Sequence, residues 1–141
     1  MIKDDNYFMN IAYKEALKAF NKNEIPVGAV IVRNNEIVSK GHNLRDSKQV
    51  ITKHAEIIAI EKANIKLNNW RLLDCVLYTT LEPCPMCKEV IKAAKISKVV
   101  YGAKNNVIDS NIEAKQINNK IIIDNCEKII KDAFTNIRNK Q

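Results

Sequence analysis

Long apolar runs are missing from this 141-residue chain. None approaches the roughly 20 residues that a membrane-spanning helix requires, so a helical membrane protein is excluded. The opening stretch MIKDDNYFMN carries acidic residues and no apolar core. It is not read as a secretory signal, and a cytoplasmic location is expected. Internal repeats, low-complexity tracts and linker-like segments are also absent, so residues 1–141 are expected to form one domain. Histidine is scarce, confined to His42 and His54. The four cysteines, in a compartment expected to be reducing, read as thiols or metal ligands rather than disulfides.

Apolar residues make up 46% of the chain, which is ordinary for a globular protein and too many for a disordered one. The formal net charge is +7, which permits an acidic partner such as nucleic acid. Lysine outnumbers arginine 19 to 4, and Lys, Asn and Ile all have A/T-rich codons, so the excess has a compositional source too.

Residues 5–20 predict an amphipathic helix, with Phe8, Ile11, Ala12, Ala16, Ala19 and Phe20 on its apolar stripe and Lys14, Glu15 and Lys18 off it. Asp4 or Asp5 is the expected N-cap, and Pro26 bars continuation. Residues 27–32 predict a central strand. Asn34-Asn35 predicts a tight turn, and residues 36–40 a more exposed edge strand that completes a hairpin. After a polar loop over 42–53, a helix is expected from His54 to about Leu67, with Ile57, Ile58 and Ala59 in the core. A buried strand at 75–80 leads to a helix that Cys84 starts, with Pro85 in its first turn, running to about Ile96. A fourth strand at 99–101 is expected to end at Gly102. The glycine-free segment 104–118 shows little pattern beyond a short helix near 110–116, and Ile121-Ile122-Ile123 reads as a fifth strand. From Asp124 a last helix presents Ile129, Ile130, Ala133, Phe134 and Ile137 on one face. This order predicts an α/β fold, a three-layer α/β/α sandwich around a five-stranded mixed sheet. Cys75, Cys126, Trp70 and Tyr101 read as packing residues.

The chemistry concentrates in His54-Ala55-Glu56 and Pro83-Cys84-Pro85-Met86-Cys87. One imidazole and two thiolates make a tetrahedral zinc site with one position open. Both stretches fall at expected helix starts, where unpaired N–H groups and the positive dipole end favour the thiolate. Glu56 suits a proton carrier on the open side better than a ligand. Two other readings of the cysteine pair stand beside this one: a redox dithiol, or part of a closed Cys2His2 structural site completed by His42, which would make the chain a binding module rather than an enzyme. In a closed site Glu56 has no task.

His-Ala-Glu-Ile and Leu-Glu-Pro-Cys-Pro-Met-Cys resemble the zinc-dependent cytidine/deoxycytidylate-type deaminases. Ile25-Pro26-Val27-Gly28-Ala29-Val30 and Asn43 bring the likeness closer to the bacterial tRNA-specific adenosine deaminases, the TadA type, over about residues 5–103. The resemblance implies a cytidine deaminase-like fold and Zn2+ on His54, Cys84 and Cys87. It implies Glu56 as the catalytic acid/base, and Asn43, Val27, the Ala55 N–H and the Pro83 carbonyl around the base. It further implies adenosine-to-inosine conversion at the wobble position of a tRNA anticodon stem-loop by a homodimer, with a deaminase of a free nucleobase or nucleoside (guanine or cytosine type) as the alternative. Three departures stand out. Segment 104–118 is short and lacks glycine, Lys88-Glu89-Val90 follows Cys87 where small residues are usual, and Lys53 precedes His54.

Overall fold

The computed structural model describes residues 2–105 and 112–139. Helix α1 (Asp5–Asn21) leads into the hairpin of β1 (Gly28–Arg33) and β2 (Glu36–His42). A single-turn helix α2 (Arg45–Lys48) precedes α3 (Ala55–Leu67), β3 (Cys75–Leu81), α4 (Pro85–Ala93) and β4 (Lys98–Ala103). Strand β5 (Ala114–Gln116) and helix α5 (Lys120–Asn139) follow. Among the described residues, no helix is long and apolar enough to cross a membrane.

The sheet runs β2-β1-β3-β4-β5. Strand β1 is antiparallel to both β2 and β3, whereas β3, β4 and β5 are parallel. Side chains alternate across the pleat, and this alternation builds two cores. Ala29, Ile31, Leu77 and Val99 pack beneath α3 and α4 with Ala59, Ala63 and Ile91. Val30, Val32, Tyr78 and Val100 pack on the other face with Phe8, Met9 and Ala12 of α1 and Ile122 and Cys126 of α5. The three-layer α/β/α expectation is met.

Local chemistry explains most boundaries. Asp4 caps α1 by accepting the Tyr7 N–H at 2.9 Å. Asn34 and Asn35 both take positive φ (53° and 62°), and the Arg33–Glu36 pairing across them makes a two-residue hairpin turn. Asn68, at φ 49°, closes α3 in the left-handed conformation that asparagine tolerates.

Several sequence expectations are corrected. Ile121-Ile122-Ile123 is not a strand: the Asn119 side chain accepts the Ile122 N–H at 3.2 Å, and α5 begins there. Ile122, Cys126, Ile129 and Ala133 then form a buried stripe at helical spacing, with Ile121 left at the surface. The fifth strand lies earlier, pairing Val99 with Ala114 and Tyr101 with Gln116. The short helix expected near 110–116 is therefore replaced at 114–116, and its first residues lie outside the described ones. Phe134 is exposed, off the stripe, and the Ile137 side chain is outside the described set. Strand β4 continues through Gly102, α2 interrupts the loop expected at 42–53, and α4 ends at Ala93. Glu15 is buried rather than solvent-facing. Trp70 is exposed, its ring covered on one side by the Arg71 guanidinium at 4.4 Å.

Gly28 marks the tightest approach of α1 to the sheet. A Cβ there would sit 2.0 Å from the Ala12 carbonyl oxygen and 2.5 Å from the Ala16 nitrogen, both backbone atoms that cannot yield alone. Gly28→Ala is expected to destabilise the fold by about 2 kcal/mol or more, read by urea denaturation.

Candidate active site

The strand register gathers the site at one end of the strands, around β1 and β3. Gly28 opens β1 opposite His42 at the end of β2, and its N–H donates to the Thr80 hydroxyl near the end of β3 at 3.1 Å. The segments bearing Val27, Asn43 and Leu81 therefore meet. Helices α3 and α4 both start there. His54 is the N-cap of α3 and Cys84 that of α4, each with extended backbone, and Pro85 occupies the first turn, where its missing N–H costs nothing. Gly41 lets α3 press close to the sheet, since a Cβ would lie 2.6 Å from the Ala55 carbonyl oxygen.

His54 Nδ1 lies 3.8 Å from Cys84 Sγ and 3.5 Å from Cys87 Sγ, and the three donor atoms fall within 4.8 Å of one another. With usual zinc bond lengths, the N-to-S edge of a tetrahedron is about 3.6 Å, so the donor set and its spacing fit Zn2+. The Cys87 S–H, then the backbone N–H groups of Cys87 and Met86 and the charge of His54, hold the Cys84 thiol well below its ordinary range despite burial. Sharing its proton with Cys84 and being buried push Cys87 upward. Such a site favours one thiolate before any ion enters.

Glu56 is buried in the first turn of α3, and burial pushes its carboxyl up to about 7. Its side chain hydrogen-bonds Cys87, which sets the carboxyl beside the ligands. His42, the residue that a closed structural site would need, is engaged elsewhere. Its Nδ1 is 3.3 Å from Glu15 Oε1 and its Nε2 is 3.0 Å from Lys22 Nζ. Among the described residues the metal-capable group is His54, Cys84 and Cys87 alone, so the donor set lacks a fourth protein side chain.

A cavity of about 130 Å³ opens on this group. Pockets for drug-sized ligands run from roughly 300 Å³ upward, so this one admits a small ring rather than an extended molecule. Val27, Asn43, His54, Ala55, Glu56 and Cys84 line it, uniting all but two of the sequence-derived site residues. Cys87 and Pro83 are buried and do not line it. Sequence reasoning passed over Ile25, Arg45, Leu81, Glu82 and Asn105, which also line the cavity. Glu82 stood inside the quoted Leu-Glu-Pro-Cys motif, so a signal for it was present.

The Asn43 amide is held from both ends. Its Nδ2 donates to the Ile25 carbonyl at 3.2 Å, and its Oδ1 accepts the Arg45 N–H at 3.1 Å. Glu24, buried, holds the next turn by accepting the N–H groups of Asp46 (3.0 Å) and Ser47 (2.5 Å) and the Ser47 hydroxyl. Burial alone would raise the Glu24 carboxyl, but these donors together hold it below its ordinary 4.5.

The profile of the cytidine and deoxycytidylate deaminase zinc-binding region matches residues 2–103, a span that encloses both motifs. The chain belongs to this deaminase family. A tRNA-specific adenosine deaminase of Streptococcus pyogenes serotype M18 is 48% identical over 104 residues, covering 74% of this chain. The match spans 65% of that relative, just under two thirds of its length. A solved structure from work on A-to-I editing by tRNA:A34 deaminases at the wobble position superposes with a TM-score of 0.79. It is 28% identical, covering 88% of this chain and 99% of that one. The guanine deaminase of Bacillus subtilis gives a TM-score of 0.69 at 28% identity, covering 89% and 93%. The zinc-binding character of the family agrees with the donor set found here.

Two outcomes are expected. Cys87→Ala should abolish stoichiometric zinc in the purified protein, whereas His42→Ala should retain it, by elemental analysis. Glu24→Gln should lose about 2 kcal/mol at pH 7, by urea denaturation, because a buried amide cannot serve three donors. Since the folded-state carboxyl sits below 4.5, its contribution is present above that pH and is lost as pH falls through the lower folded value. The variant should therefore show a flatter decline of stability below about pH 4.5 than the wild type.

Proposed function

We infer that residues 1–141 form one deaminase domain that converts adenosine to inosine at the wobble position of a tRNA anticodon stem-loop. The observation that carries the deaminase chemistry is the buried Glu56 carboxyl in the same small cavity as a ligand set with a free coordination position. The adenosine and tRNA assignments draw support from the 48% identity to the Streptococcus enzyme and from the net charge of +7.

His54, Cys84 and Cys87 would hold Zn2+, with Glu56 as the catalytic residue. When bound, Zn2+ supplies Lewis acidity that makes water a competent nucleophile near neutral pH. Glu56 accepts a proton from the attacking water and delivers it to N1 of adenine. The water oxygen forms a bond to C6; Glu56 then takes the second proton from that C6 hydroxyl and passes it to the amino group, the C6–N bond breaks as the C6 carbonyl forms, and ammonia leaves with N1 still protonated. Val27 and Ala55 flank the ring and Asn43 takes the nucleoside, with the Pro83 carbonyl behind them. The working unit is a cytoplasmic homodimer with RNA across both subunits, as the family resemblance implies.

A second reading, deamination of free guanine, is favoured by the likeness to the Bacillus guanine deaminase and by the cavity's small volume. Zinc-loaded protein offered a wobble-adenosine stem-loop and free guanine separately distinguishes them. Inosine in the RNA supports the tRNA reading, and xanthine without inosine supports the other. Turnover on RNA should also fall steeply with salt, because phosphate contacts release counterions. Glu56→Ala should lower turnover at least about a hundredfold while zinc stays bound; near-normal turnover would overturn the mechanism.

A further inference from the structure

Lys88 follows the innermost cysteine, where the family resemblance calls for a small residue. Its side chain is only 6% exposed, an unusual place for a strongly hydrated ammonium. Its Nζ lies 3.6 Å from Glu82 Oε2, and the Glu82 side chain is itself only 12% exposed. The other carboxylate oxygen of Glu82 accepts the Asn105 N–H at 3.1 Å, and the Glu82 carbonyl accepts from Asn105 Nδ2 at 3.4 Å. The Glu82 N–H in turn donates to the Ala103 carbonyl at 2.8 Å. One carboxylate thus joins the segment after β3 to α4 on one side and to the segment after β4 on the other. Glu82 and Asn105 line the cavity, whereas Lys88 does not, so Lys88 reaches the substrate space through Glu82.

We propose that Lys88 is a positioning residue for substrate binding. Its enclosed ammonium fixes the Glu82 carboxylate, and Glu82 fixes Asn105 as part of the cavity wall. Removing the ammonium leaves a poorly solvated carboxylate without its counter-charge, which draws toward water and releases Asn105. Removing both charges does less harm: glutamine at 82 keeps an oxygen for the Asn105 N–H and needs no cation.

The proposal rests on the RNA deaminase reading for its kinetic arm only. The test compares wild type, Lys88→Met and the double variant Glu82→Gln/Lys88→Met, all zinc-loaded. Exchange of the Asn105 amide hydrogen is read by NMR, and KM and kcat are read on the wobble-adenosine stem-loop. In Lys88→Met, Asn105 exchange should accelerate and KM should rise about fivefold or more with kcat within about twofold, and the double variant should recover most of the Asn105 exchange protection. Unchanged Asn105 exchange in Lys88→Met would overturn the proposal. So would faster exchange with unchanged KM, which makes the pair structural only, or a fall in kcat with loss of zinc, which assigns Lys88 to the metal site. Wild-type protein inactive on RNA would count against the proposed substrate, and the exchange comparison would still decide whether Lys88 holds Asn105.

Discussion

Two helix N-termini converge on one point at one end of the strands, and the rest of the structure serves that convergence. A helix start offers unpaired N–H groups and the positive end of a dipole. Here those starts carry His54 and Cys84 as caps, in places where serine or aspartate would ordinarily satisfy the backbone. At α3 the stability that a capping side chain would add is given up, since His54 makes no capping hydrogen bond, and the donor atoms of the set lie within 4.8 Å of one another. The register of β1 against β2 and β3 brings the remaining wall, Val27, Asn43 and Leu81, to the same end.

Buried and half-buried carboxylates organise this end of the sheet in a protein that is basic overall. Glu24 gathers the donors of the turn after Asn43, and Glu82 ties α4 to Asn105. Both have cation or N–H partners that oppose the cost of burial. Glu56 differs: burial dominates its environment, and its carboxyl rises to about 7. The division follows chemistry. Glu24 has donors on both oxygens, whereas Glu56 is shut away from water beside the donor set.

The grouping of His54, Cys84 and Cys87, with Glu56 beside them, was legible in the sequence because these residues cluster in two short motifs beside helix-start signals. The hairpin was legible because two asparagines supply positive φ where the turn demands it. Ile121-Ile122-Ile123 misled because β-branched residues favour strands, whereas the Asn119 cap and a core stripe extending to Ala133 outweigh that preference. Glu24, Glu82 and Lys88 were not legible as a supporting layer. The partners of Glu24 and Glu82 lie 22 and 23 residues away in sequence, and Lys88 meets Glu82 only once the start of α4 turns it back. Trp70, expected as a packing residue, lies on the surface beneath Arg71.

The most direct test of the central claim is zinc K-edge absorption spectroscopy on the purified protein. Two sulfur and one nitrogen scatterer from the protein, with the fourth position taken by no side chain and with the pattern unchanged in His42→Ala, is the expected result. A zinc ion closed by four protein side chains would contradict an open site and remove the basis for catalysis at Glu56.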